Sequence, residues 1–326
     1  MKDADDHKGS PLQEGLHMSD SLNLSGEPES AFVDIDGTRL HYLAWRPDAQ
    51  DLIQDAIPLV LLHALAATAD TWRLLAPYLA QQHTVVAFDL PGHGENEPPV
   101  ADYDYALATI AEDVVRGMAK LGLGQVALVG HGWGTRVALA LAARHPALVS
   151  HLVLLDGLHI DPRHWPGMTR ERFIRQSLPR EFFSSRSTFL SAMQREMAAF
   201  WSPAVEAILL AHIREQADGT VEERLRPADR QRIREVLWAD PALSYYSKVS
   251  CPVLLVQTTA EPQADSEPPE QLEWAEDFSL AKGYMALQVA RAIRRCSILW
   301  MPETAHDIQL HRPRPLAEAI VKFIRE

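Results

Sequence analysis

Short runs of consecutive apolar residues alternate with longer stretches of helical periodicity along most of the chain. Ile57 to His63 (IPLVLLH), Thr84 to Phe88 (TVVAF), Val126 to Val129, Ser150 to Leu155 (SHLVLL), Pro252 to Val256 (PVLLV) and Ser297 to Met301 (SILWM) are almost wholly apolar. Strands covered on both faces read this way, whereas a strand with one wet face alternates. Between these runs, Thr71 to Leu79, Tyr103 to Lys120, the stretch from Thr135 to Arg144 and Pro315 to Ile324 have helical patterning. The alternation predicts an α/β class fold with a mostly parallel, doubly wound sheet. Ahead of it, Ala31 to Trp45 alternates around Asp36-Gly37, the signal of a hairpin.

The rhythm breaks between 159 and 247. Few strand-like runs occur there, and Arg170-Glu171-Arg172, Ser187 to Phe200, Val205 to Glu215 and Pro227 to Leu237 are charged or helical. We read 159–247 as an inserted, mainly helical cap, and 31–158 with 248–326 as the core that it interrupts. Residues 1–30 are polar, acidic and without periodicity, which predicts a disordered tail.

From Gln125 to Arg144 the sequence QVALVGHGWGTRVALALAAR joins a buried strand, the turn Gly130-His131-Gly132-Trp133-Gly134 and an alanine-rich helix. This resembles the nucleophile elbow of the α/β-hydrolase family, a strand–turn–helix carrying G-x-Nuc-x-G. Other segments resemble that family in the same order. IDGTRLHY is similar to its opening hairpin, and LLHALAATADTW to its oxyanion loop, with Ala64 where most members have glycine. FDLPGHG matches a shared loop, and WMPETAHDIQLHRP is similar to the terminal histidine segment.

The resemblance implies a set of site residues. Gly132 stands where the family carries a serine, or an aspartate in dehalogenases and epoxide hydrolases. The elbow requires φ > 0, which strains any other residue by about 1–3 kcal/mol and leaves glycine unstrained. The fold is therefore expected to persist without its nucleophile. His306 takes the position of the base. Its carboxylate partner is Glu261, just past the strand at 252–256, or Asp156, at the end of the strand at 150–155; Glu261 is the preferred assignment. The backbone amides of Leu65 and Trp133 are the expected oxyanion donors. His63, His93 and His131 are expected to support loops. Trp165, Trp201, Trp238 and Tyr245 from the insertion are expected to line an apolar pocket for a small organic substrate.

Composition narrows the partners. The chain has 326 residues, 47% hydrophobic and 23% charged, with a net charge of -13 and a pI near 5.5. That balance opposes nucleic acid and anionic membrane as partners. Cys251 and Cys296 form neither a disulfide framework nor a zinc motif. No signal peptide or membrane-length apolar run occurs, so a cytoplasmic location is expected. No metal-ligand cluster, phosphate loop or flavin motif is present, so no metal and no cofactor are expected. Three readings stay open. One is a nucleophile-less hydrolase with little esterase activity. A second is an enzyme using His306 and a carboxylate as general base, for water-mediated hydrolysis, lyase chemistry or cofactor-free oxygenation. The third is a ligand-binding protein without catalysis. The substrate and the oligomeric state are not legible.

Overall fold

The computed structural model describes residues 26–47, 56–157, 161–164, 167–175, 183–259 and 282–326. Strands β1 (Glu29–Ile35) and β2 (Thr38–Trp45) form the expected hairpin. Its turn residues Asp36 and Gly37 have φ of 57° and 88°, as a tight hairpin turn that matches strand twist requires. The other strands are β3 (Leu59–Leu62), β4 (Val85–Phe88), β5 (Val126–His131), β6 (Val149–Leu155), β7 (Ile213–Glu215), β8 (Val221–Glu223), β9 (Val253–Thr259) and β10 (Cys296–Pro302). Eight of them form one sheet in the order β1-β2-β4-β3-β5-β6-β9-β10. The hairpin joins it antiparallel through β2 and β4, and every later neighbour is parallel.

Helices cover both faces of the sheet. Helix α2 (Leu107–Lys120) buries Leu107, Ile110, Ala111, Val114 and Met118, a single stripe at helical spacing. It packs with α3 (Gly134–Arg144) in one apolar cluster against Val60, Leu128 and Leu154. On the other face, α1 (Ala76–Leu79) and α11 (Pro313–Arg325) pack against Leu61, Val129 and Val153. The parallel register aligns Leu62 with Gly130, His131 with Leu155, and Leu155 with Val256. The C-terminal ends of β3, β5, β6 and β9 therefore meet at one level, the usual ligand edge of such a sheet.

Between β6 and β9 lie α4 (Arg170–Arg175), α5 (Arg186–Glu196), α6 (Pro203–Ala211), α7 (Pro227–Ala239) and α8 (Leu243–Tyr246). The segment also holds the antiparallel β7–β8 pair, where helix was expected through Glu215. Gly219, in the turn between these strands, has φ of 84°. A second departure is at Thr71 to Leu79, which is a 3₁₀ turn (Ala69–Trp72) followed by α1 rather than one helix. Pro77 explains the break, because its ring lacks an N–H and would clash with the carbonyl of Arg73 in a continuous helix. Helix α9 (residues 282–292) and α10 (Ile308–His311) flank β10 and its following loop.

Candidate active site

Gly132 lies at the sharp corner between β5 and α3, with φ of 52°. The corner is tied down on both sides. The Gly132 amide donates to the Leu155 carbonyl at 3.2 Å, and its own carbonyl accepts from Thr135 Oγ1 at 2.6 Å. Gly134 lets α3 approach β3: a Cβ there would stand 2.3 Å from the Leu62 carbonyl oxygen. A Cβ built on Gly132 would stand 2.7 Å from Ala64 Cβ and 3.6 Å from His306 Nε2. The loop after β3 and the histidine after β10 thus converge on the bare α-carbon.

His306 is held from several directions. Its carbonyl accepts from His131 Nε2 at 3.0 Å and from the Ile308 amide at 2.8 Å. The neighbouring Ala305 amide donates to His311 Nδ1 at 3.0 Å, and the His311 ring stacks on Phe200 with centroids 4.8 Å apart. The His306 side chain is 55% exposed, while its partner Asp156 is 5% exposed. His306 Nδ1 lies 2.8 Å from Asp156 Oδ2. A carboxylate only accepts, so Nδ1 carries the proton and Nε2 presents a lone pair towards Gly132.

Asp156, the lesser of the two sequence candidates, is bonded to His306. Glu261, the preferred assignment, lies outside the described residues, as does Trp165. Asp156 has φ of 37°, a conformation that costs a non-glycine residue energy and gathers at functional sites. Its Oδ1 accepts from the Thr258 amide at 3.1 Å and is ion-paired with Lys282 Nζ. Lys282 also donates to the Thr258 carbonyl at 2.9 Å. Desolvation would raise the Asp156 carboxyl, but the hydrogen bond and charge of His306, with those of Lys282, hold it well below the usual carboxylate range.

The imidazoles respond in opposite directions. For His306, desolvation favours the neutral ring, yet the hydrogen bond and charge of Asp156 outweigh it and raise the pKa above the ordinary value. For His131, burial and the neighbouring His306 lower it to about 4, so His131 is neutral across the physiological range. Their rings are 4.6 Å apart, and a neutral His131 avoids setting two cations side by side.

The loop from His63 to Thr68 completes the corner. Ala66 has φ of 64°, and the Ala67 amide donates to the Ala64 carbonyl at 3.1 Å. Neither the Leu65 nor the Trp133 amide has an acceptor among the described residues. His63 braces this loop: Nδ1 donates to the Ala64 carbonyl at 2.7 Å and Nε2 accepts from the Leu90 amide at 2.9 Å. His93 packs between His63 and Trp133, with centroids 4.9 and 5.1 Å away. Beneath them, buried Asp89 accepts from the Ala69 amide at 2.6 Å, the Glu95 amide at 3.0 Å and His41 Nδ1 at 2.7 Å. Burial alone would raise the Asp89 carboxyl, but the His41 hydrogen bond and the nearby imidazoles bring it to about 2.

The expected pocket aromatics are dispersed. Trp238 packs on Phe173 with centroids 5.7 Å apart. Tyr245 donates its hydroxyl to Asp240 Oδ2 at 2.7 Å, and Asp240 is bonded to Arg136 of α3. Trp201 belongs to a separate cluster with Phe189, Leu209 and Leu310. Sequence reasoning did not single out Lys282, Asp89 or His311. Asp89, inside the FDLPGHG segment, and His311, inside WMPETAHDIQLHRP, lay within family-like segments, and Lys282 carried no signal. No group of three His, Cys, Asp or Glu side chains able to hold a metal occurs among the described residues, and no described helix is long and apolar enough to cross a membrane.

Comparison with known proteins bears on the fold and the family. The soluble epoxide hydrolase of Corynebacterium sp. (strain C12) is 38% identical over 122 residues, which cover 37% of this chain and 39% of that protein. Epoxide hydrolase 3 of Xenopus tropicalis is 26% identical over 311 residues, 89% of this chain and 76% of that one. The match thus spans about two fifths of the first relative and three quarters of the second. Among solved structures, E-2-(acetamidomethylene)succinate hydrolase superposes with a TM-score of 0.72 at 18% identity, covering 92% of this chain and 100% of that one; at that identity the likeness is one of fold. Residues 57–278 match the sequence model described as alpha/beta hydrolase fold, and the chain belongs to that family.

Proposed function

We propose that this protein is a nucleophile-less member of the family that acts on a small organic substrate through His306 as a general base, with no covalent intermediate. The observation that carries this reading is the position of His306 Nε2, 3.6 Å from where a Cβ on Gly132 would stand, while Nδ1 is bonded to Asp156. An elbow side chain would be the attacking group. With glycine there, the lone pair of Nε2 faces the substrate side with no elbow side chain to activate.

In this reading a water takes the attacking role. His306 Nε2 accepts its proton as the water oxygen bonds to an electrophilic carbon, and Asp156 stabilises the resulting imidazolium. The Leu65 and Trp133 amides receive the oxygen that gains charge. The imidazolium then returns the proton to the departing alkoxide, so the site is restored and one water is consumed. In this reading the described helices between β6 and β9 serve as the cap expected at this edge. Esters fit the acyl-transfer geometry, and the epoxide hydrolases among the relatives make epoxides the second class to test.

Loss of a nucleophile from such machinery typically lowers kcat by about a millionfold, so turnover is expected to be slow and free of an initial burst. The test is turnover of activated aryl esters and aryl epoxides by the unaltered protein and by Asp156→Asn. Slow, burst-free turnover that falls with Asp156→Asn supports the reading. Turnover unaffected by that substitution, or a ligand bound tightly and never converted, overturns it.

A further inference from the structure

Asp156 has two oxygens, and only one of them serves His306. The other is shared between two groups from different parts of the fold. The Thr258 amide near the end of β9 donates to Oδ1 at 3.1 Å, and Lys282 Nζ is ion-paired with the same atom. Lys282 then reaches the Thr258 carbonyl at 2.9 Å, closing a small ring of contacts around the carboxylate. The ammonium-bearing side chain is 15% exposed and the carboxylate 5%, so the pair is largely withdrawn from solvent. A lysine with a long flexible stem is seldom held so deeply without a task, since ordering it costs side-chain entropy and burying its charge costs solvation.

We infer that Lys282 is a positioning residue of this site: it clamps Oδ1 of Asp156 against the end of β9, so that Oδ2 alone is offered to His306 Nδ1. The inference rests on the proposed role of His306 as the base, and adds the group that sets its orientation and its proton affinity. The Asp156 backbone sits at φ of 37°, a conformation that persists only where the surrounding contacts over-determine it.

The clamp has an electrostatic consequence. Among the described residues, the charged and titratable groups facing His306 are Asp156 from the end of β6, Lys282 from the helix at 282–292, His131 from the end of β5 and Asp307 next in the chain. Asp156 and Asp307 favour the imidazolium, and Lys282 opposes it. His131 is neutral and adds little. Lys282 therefore offsets part of the carboxylate field, and a general base near neutral pH requires that offset. Among the described residues, removing Lys282 leaves His306 facing two carboxylates with no cation to balance them.

The test reads the imidazole directly and needs no substrate. In the full chain, carbethoxylation of His306 by diethyl pyrocarbonate is followed across pH by mass spectrometry of the modified peptide, for the unaltered protein, Lys282→Met, Lys282→Gln and Lys282→Arg. The expected result is a Lys282→Met profile displaced to higher pH, with reactivity at neutral pH reduced about threefold or more, because half a pH unit is a threefold change in the neutral fraction. Lys282→Gln, which keeps hydrogen-bonding capacity without charge, is expected to show the same displacement, and it reports the effect should the Met variant not fold. Lys282→Arg is expected to retain the original profile. A His306 profile that does not move in Lys282→Met or Lys282→Gln overturns the inference. Failure to find any turnover would count against the proposed function and leave this measurement intact.

Discussion

The Ala64 methyl carbon lies 2.7 Å from the point at which a Cβ on Gly132 would stand. Real Cβ atoms do not approach that closely, so the side chain at 64 and the bare α-carbon at 132 are mutually adjusted. Most family members, by the resemblance of LLHALAATADTW to the oxyanion loop, combine glycine at the first position with a reactive side chain at the second. This chain has the reverse arrangement. The space is shared out differently, and a side chain at 132 would compete with the Ala64 methyl for it.

Gly132→Ser alone is therefore expected to destabilise the fold by about 1–3 kcal/mol through the φ > 0 strain, with the Ala64 contact adding to it. In a double-mutant cycle with Ala64→Gly, the two substitutions together should cost less than the sum of each alone. Urea denaturation of the four proteins measures this. Strict additivity would mean that the loop moves aside freely and that the contact carries no energy.

Acid stability should report His131. Its pKa falls to about 4 in the fold from an unfolded value of about 6.5. Between those values the unfolded chain takes up a proton that the native state refuses, so stability declines as pH is lowered through that window. For His131 alone the loss is on the order of 2 kcal/mol by about pH 4.5, and His63 and His93, both lowered by burial, act in the same direction. Unfolding free energies at neutral and mildly acidic pH measure the decline, and His131→Asn should make it shallower.

Asp89 gives a prediction about the loop rather than the base. One carboxylate receives the Ala69 amide, the Glu95 amide and His41 Nδ1. Asp89→Asn removes a buried charge and leaves its partners poorly matched, which should lower stability by about 3 kcal/mol. Differential scanning calorimetry reads the change. Amide exchange should quicken at Ala67 and Ala69, and unchanged exchange there would separate Asp89 from the loop.

The predicted Asp156→Asn effect is large in activity and small in overall architecture. An asparagine in that place can present its amide to Nδ1, which favours the wrong tautomer of His306. A loss on the order of 10⁴ in kcat is expected from that kind of change, with near-native circular dichroism.

What the sequence made legible follows the physics of each element. β3, β5, β6 and β9 are continuous apolar runs because both faces of the sheet are covered, so their burial is visible without coordinates. Gly132 and His306 were also readable, because the strand–turn–helix and the terminal histidine segment are local patterns. The choice between Asp156 and Glu261 was not. β6 and β9 are neighbours in the sheet, so a carboxylate at the end of either strand is a reasonable partner for His306. Asp156 is engaged through contacts that no local pattern announces, with the Thr258 amide and Lys282. The β7–β8 pair escaped notice because Ile213–Glu215 and Val221–Glu223 are short and charged, although Asp218-Gly219 between them was a readable turn signal.

The central claim is that His306 takes up the proton at this corner and that no residue of the chain bonds covalently to the substrate. It is tested most directly by single-turnover reaction of an aryl ester with excess protein, unaltered and His306→Gln, with intact-protein mass spectrometry sampled through the reaction. The account predicts slow product release, no mass adduct at any time, and loss of turnover in His306→Gln. An adduct on any side chain, or turnover that persists in His306→Gln, would contradict it.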